Sequence, residues 1–175
     1  HQSVFKSLLR EIATMQSLKK TLTFGLMIMG IAVSSSASDF FDSTKVSAEQ
    51  GDVSAQLSMG IMYHDGKEVK QDYKKSLKWF EKSANQGDAL AQLYLSSFYY
   101  YGKGVRQDYG KAFQWALKSA NQGDADAQGL IGVHYEEGKG VQANRNEAKK
   151  WYGKSCDNGS KTGCDYYRDL NEQGY

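Results

Sequence analysis

The chain has 175 residues, enough for one ordinary domain or a short repeat array and too few for two full-sized domains. With 40% hydrophobic and 24% charged residues, it is neither disordered throughout nor a polytopic membrane protein. The formal net charge of +2 is unevenly split. Lys6, Arg10, Lys19 and Lys20 against Glu11 make the first 37 residues basic and leave the rest faintly acidic, which argues against a nucleic-acid-binding surface.

The N-terminus carries the order of an export signal. After Met15 come Lys19 and Lys20, an apolar run from Leu22 to Val33, and the small residues Ser34, Ser35, Ser36, Ala37 and Ser38. Basic, apolar and small-residue regions in that order describe a signal peptide over 15–37, cleaved after Ala37. The alternative is an uncleaved anchor, for which the apolar run falls short of the roughly 20 residues a span needs. Residues 1–14 precede Met15 and are read as an upstream extension, and 38–47 as an N-terminal linker. The expected location is periplasmic or secreted, with no stable membrane insertion after signal cleavage.

From Ala48 onward the sequence repeats. Blocks 48–83, 84–119 and 120–155 align without gaps, placing Trp79, Trp115 and Trp151 at equivalent positions, and 156–175 supplies the first half of a fourth block as a terminal cap. A fixed period of this size marks a solenoid, in which each unit hides its apolar face against its neighbours. The chain contains no Pro and 18 Gly, where average usage of roughly 5% Pro would supply about eight or nine. That bias suits many helices separated by glycine turns.

Each block reads as two helices. Ala55, Met59 and Tyr63, with Ala91, Leu95, Tyr99 and Ala127, Ile131, Tyr135, recur every four positions and define one helical face. Asp52, Asp88 and Asp124 are expected to cap the start of this first helix, and Gly66, Gly102 and Gly138 to end it. The second helix begins near Asp72, Asp108 or Asn144 and carries the Trp; Gly87, Gly123 and Gly159 close it. Gly60 and Gly132 should let the paired helices approach closely, with a wider contact where Ser96 replaces them.

These features resemble the Sel-like repeat family, relatives of the tetratricopeptide repeats. The second block carries most of the pattern: Gly87-Asp88, Ala91-Gln92, Leu95, Tyr99, Gly102-Lys103-Gly104-Val105, Asp108, Lys111-Ala112, Trp115 and Lys118. Departures are Ser96 for Gly, Glu68 for the second loop Gly, and Asn144 for Asp. The resemblance spans about 48–167 and implies an all-α fold, a right-handed α/α superhelical solenoid of helix-turn-helix repeats.

Cys156 and Cys164 bridge the end of one helix and the start of the next. An even cysteine count behind an export signal favours a disulfide across that bend, pinning the terminal half-repeat. The spacing also resembles that of secreted cysteine-rich members of the family, in which such pairs link adjacent helices.

Chemistry is sparse. Some cysteine-rich members have been labelled β-lactamases or penicillin-binding proteins, so a β-lactam-binding or weakly hydrolysing protein is the alternative reading. The serine machinery of those enzymes needs Ser-x-x-Lys, and the matches, Ser3 to Lys6 and Ser17 to Lys20, precede the expected cleavage. Lys161-Thr162-Gly163 matches the short lysine motif but has no nucleophile motif to support. His64 and His134 occupy different offsets in their units and make no repeated ligand set. No catalytic residue, metal or cofactor is assigned.

The tetratricopeptide resemblance places the first helices on the concave side. Their exposed positions are Leu57, Ile61, His64 and Asp65 in the first unit, Leu93, Ser97, Tyr100 and Tyr101 in the second, and Gly129, Val133, Glu136 and Glu137 in the third. Four consecutive aromatics, Phe98 to Tyr101, cannot all face a helix core. The expected function is an interaction scaffold, acting as a monomer, whose groove binds a protein or peptide ligand. Tyr100 and Tyr101 would be the anchors, and Glu136 and Glu137 would select basic residues. The competing reading has the tyrosines covering neighbouring units and the acidic pair solvated.

Overall fold

A computed structural model describes residues 35–175. Residues 43–175 form one compact unit. The extension at 1–14 and the signal peptide, apart from its last three residues, lie outside the described residues. Eight α-helices make up the described part: α1 (Ser35–Glu49), α2 (Val53–Asp65), α3 (Tyr73–Asn85), α4 (Ala89–Tyr101), α5 (Tyr109–Ala120), α6 (Ala125–Glu137), α7 (Arg145–Asp157) and α8 (Lys161–Glu172).

Residues 38–47, expected as a linker, belong to α1. The end of α1 stands to α2 as the end of α3 stands to α4. Ala48, the counterpart of Ala84 and Ala120, is buried, and its carbonyl accepts a hydrogen bond from Gln56 Nε2 at 3.0 Å.

The expected caps are present. Asp52, Asp88 and Asp124 accept hydrogen bonds from the amides of Ala55, Ala91 and Ala127 at 2.6, 2.7 and 2.7 Å. Asp72, Asp108 and Asn144 do the same for α3, α5 and α7. The first helices end at Gly66, Gly102 and Gly138 with φ of 70°, 71° and 68°, the left-handed conformation glycine adopts without a Cβ penalty. The second helices stop at Gln86, Asn121 and Asn158, with Gly87, Gly123 and Gly159 just beyond.

Packing within each hairpin follows a size exchange. A Cβ on Gly60 would lie 2.4 Å from Phe80, and one on Gly132 would lie 2.4 Å from Tyr152, so each glycine makes room for a fully buried ring. In the middle unit the equivalent positions hold Ser96 and Ala116, and both are buried. At this pair of positions the larger first-helix residue is matched with a smaller second-helix one.

Buried glutamines stitch successive units together. Gln92 Nε2 donates to Ala84 O at 3.1 Å while its Oε1 accepts from Gln122 Nε2 at 2.9 Å. Gln56 and Gln128 repeat the pattern with Gln86 and Asn158. Each amide is buried, and its hydrogen bonds offset the desolvation of the group. Lys82, Lys118 and Lys154 each sit 4.0 Å over the ring of the Trp three residues earlier.

Cys156 and Cys164 form a disulfide between α7 and α8, with their Cα atoms 4.4 Å apart. Beside it Gly163 packs against Ser155, where a Cβ would meet the hydroxyl at 2.4 Å, and Leu170 is buried. The bond closes a small loop, so its removal in a Cys156→Ser/Cys164→Ser variant should cost about 2–3 kcal/mol. The loss is expected to concentrate in α8, whose first turns the bond ties to the end of α7. Hydrogen exchange resolved by helix checks this: α8 amides should exchange faster in the variant and α4 amides should not.

Candidate partner-binding groove

The first helices α4, α6 and α8 present aligned side chains because the period carries position 90 onto 126 and 162, and 94 onto 130 and 166. Leu90, Leu93, Tyr94, Ser97, Tyr100 and Tyr101 of α4, with Asp126 and Leu130 of α6, enclose an open hollow of about 450 Å³. A second hollow of about 240 Å³ lies beside it, lined by Asp126, Gly129, Leu130 and Val133 with Ser160, Thr162, Gly163 and Tyr166. The two share Asp126 and Leu130 and form one groove across three units. Its volume suits side chains of a partner, and Leu90 and Tyr101 stand 42% and 65% exposed in it.

Five expected positions, Leu93, Ser97, Tyr100, Tyr101 and Val133, line this groove, as does Gly129. Leu90, Tyr94, Asp126, Leu130 and the α8 residues were not anticipated. The two on α4, Leu90 and Tyr94, fall in the stripe 90, 93, 94, 97, 101, which keeps one helical face.

The other expected positions are engaged elsewhere. Ile61 packs on the core around Phe80 and Leu95. His64 lies against the rings of Tyr73, Tyr94 and Phe98, 5.6–5.8 Å between centroids, and its Nδ1 is 2.9 Å from Asp65 Oδ1. That hydrogen bond, helped by Lys67, holds the Asp65 carboxyl below its ordinary range. Glu136 accepts a hydrogen bond from Tyr152 at 2.8 Å. Burial first, then Glu136, pushes the Tyr152 phenol upward.

Glu137 joins a clamp between units. Tyr100 donates to Glu137 Oε2 at 2.6 Å, Lys139 Nζ donates to the Tyr100 hydroxyl at 2.9 Å, and Lys139 lies 2.9 Å from the same carboxylate oxygen. The hydrogen bond from Tyr100, then that from Lys139, keeps Glu137 ionised below its ordinary range. Its charge is matched within the molecule, so Glu137 is poorly placed to choose basic residues. Tyr100 is held as a wall, its ring edge-on to Tyr101, Tyr109 and His134. Tyr101 is the freer aromatic.

Beneath the clamp His134 is fully buried. Its Nδ1 lies 2.6 Å from Lys139 O; a carbonyl only accepts, so Nδ1 carries the proton. Burial lowers its pKa below the ordinary value. A histidine neutral in the fold but ordinary when unfolded binds its proton more readily unfolded. Stability is then greatest above about pH 6.5 and is lost as pH falls below that value. Urea unfolding at pH 7.5 and 5.5 should show the fall, and His134→Asn should flatten it.

Among the described residues no cluster of three or more His, Cys, Asp or Glu side chains is assembled. No described helix is long and apolar enough to cross a membrane. Lys161-Thr162-Gly163 forms the first turn of α8, and its glycine is required by the packing on Ser155.

Stacked helical hairpins with a side-chain-lined groove define an α-helical repeat scaffold. Residues 53–88, 89–124 and 125–160 each match the Sel1 repeat, and the chain belongs to that family. The matched units have the 36-residue period read from the sequence and begin at the first-helix start.

Solved structures agree. The chain is similar to a Sel1 repeat protein from Oxalobacter formigenes at 34% identity, covering 75% of this chain and 98% of that one, with a TM-score of 0.68. It is similar at 31% identity, TM-score 0.69, to a protective antigen with an SLR fold from uropathogenic Escherichia coli, covering 77% of this chain and 33% of the antigen. Cysteine-rich protein B of Helicobacter pylori matches at 25% identity over 74% of this chain and 92% of that one, TM-score 0.58. No curated protein matches. Sel1 repeats are typically non-catalytic scaffolds that mediate protein–protein interaction.

Proposed function

We propose that this chain is an exported scaffold that captures a segment of a partner protein in the groove across α4, α6 and α8. The observation that carries the reading is the continuity of the two hollows, with Leu90 and Tyr101 exposed on an apolar wall. A well-packed fold leaves large apolar side chains together in a concavity at a cost, and aromatic walls of this kind serve as anchors in recognition. The disulfide supports export, because such bonds persist in oxidising compartments, as does the likeness to a cysteine-rich relative.

Affinity capture from envelope extract tests it, with the oxidised chain and a Leu90→Glu/Tyr101→Ala variant compared side by side. A protein retained by the unmutated chain and absent from the variant is the expected result. Identical proteins on both would move recognition away from the groove.

A further inference from the structure

Asp126 differs from the other acidic residues around the groove. It lines both hollows and is exposed on the first turn of α6. No described residue makes a hydrogen bond or ion pair with its carboxylate, whereas Glu137 is matched by Lys139 and Asp165 by Arg168. Among the residues lining either hollow it alone carries a formal charge. The cations beside the groove's tyrosines lie over the rings at the end of α4, Lys103 at 5.8 Å from Tyr101 and Lys139 at 4.9 Å from Tyr100. Tyr101 ends α4, while Asp126 matches position 90 at the start of that helix, an offset of about 16 Å along a helix axis.

The consequence follows from desolvation. A segment that fills both hollows must cover the point they share, and covering a carboxylate without a counter-charge is strongly unfavourable. Apolar side chains alone therefore cannot satisfy the whole groove. We infer that its occupant is a peptide segment carrying a Lys or Arg with apolar or aromatic side chains on either side, the basic group seated on Asp126. This inference rests on the groove reading above and names the partner's chemistry. Selectivity for basic residues, expected from Glu136 and Glu137, passes to Asp126, whose charge is unspent.

The test is selection of phage-displayed random dodecapeptides against the oxidised chain, followed by binding of the enriched peptides, made synthetically, to three folded variants verified by circular dichroism: Asp126→Asn, Asp126→Lys and Leu90→Glu. Enriched peptides are expected to hold Lys or Arg between apolar residues. Asp126→Asn should weaken them about tenfold, the order expected for one lost charge-assisted hydrogen bond, and selection on Asp126→Lys should favour acidic peptides instead. Peptides lost on Leu90→Glu but free of basic enrichment and indifferent to Asp126→Asn would overturn the charge inference and leave the groove reading standing. Peptides that bind Leu90→Glu unchanged would overturn both, as would a selection with no enrichment.

Discussion

Phe80→Ala and Gly60→Ala, each destabilising alone, should together cost about 2 kcal/mol less than the sum of their separate effects. Phe80 is fully buried, stacked on Tyr94 at 4.5 Å and edge-on to Phe98 at 5.6 Å, so truncation removes a large ring and leaves a cavity, costing about 3–5 kcal/mol. Gly60→Ala drives a Cβ to 2.4 Å from that ring, an overpacking of about 1–3 kcal/mol. Removing the ring removes the clash, and the added methyl fills part of the cavity, so the two changes couple. The middle unit already lives with this solution in Ser96 and Ala116. Ala is the better test residue, because Ser96 Oγ is buried without a hydrogen-bond partner among the described residues. Denaturant unfolding of the wild type, both single variants and the double variant gives the coupling. Strict additivity would contradict the size exchange.

Gly140→Ala should be the more damaging of two superficially alike glycine substitutions, costing about 3 kcal/mol or more, against about 1–2 kcal/mol for Gly102→Ala. Both residues are left-handed, with φ of 76° and 71°, and share the backbone penalty. They differ in what a methyl would meet. At Gly140 it would reach 2.1 Å from the carbonyl oxygen of Tyr109 in the preceding unit, while at Gly102 the nearest atoms are at an ordinary 3.4 Å. Gly104 meets Tyr73 in the same way at 2.7 Å, so this second loop glycine is where each unit touches the backbone of the one before. Glu68 occupies the equivalent place in the first unit, also left-handed at φ 64°, with its side chain exposed. Urea midpoints of the two variants, compared at constant m-value, decide the matter. Equal losses would mean that the close approach carries no weight.

The parts of the fold legible in the sequence are those fixed by local chemistry and then repeated. A carboxylate three residues before the amide it accepts, a glycine that must turn left-handed, and a Trp every 36 residues leave their marks within a few positions. The disulfide was equally legible, since Cys156 and Cys164 flank a single bend. The helix over 38–47 was not. Its composition, with Ser, Asp, Thr and Val, favours no particular element, and its final turns are held by burial of Ala48 under the next unit. The clamp of Tyr100, Glu137 and Lys139 also escaped, because it joins residues at different offsets of adjacent units and the repeat pattern gives no reason to pair them. Part of the groove was missed for a related cause. Leu130 directly precedes the core residue Ile131 and packs partly on that core itself, and only the stacking of α4, α6 and α8 reveals that it also lines the hollows.

The most direct test of the central claim is methyl chemical-shift mapping by NMR with a selected peptide titrated onto the oxidised chain. Recognition in the groove requires the methyls of Leu90, Leu93, Leu130 and Val133 to shift together and saturate with one peptide per chain. Shifts confined to the second-helix face around Trp79, Trp115 and Trp151, with those four methyls unmoved, would contradict the account.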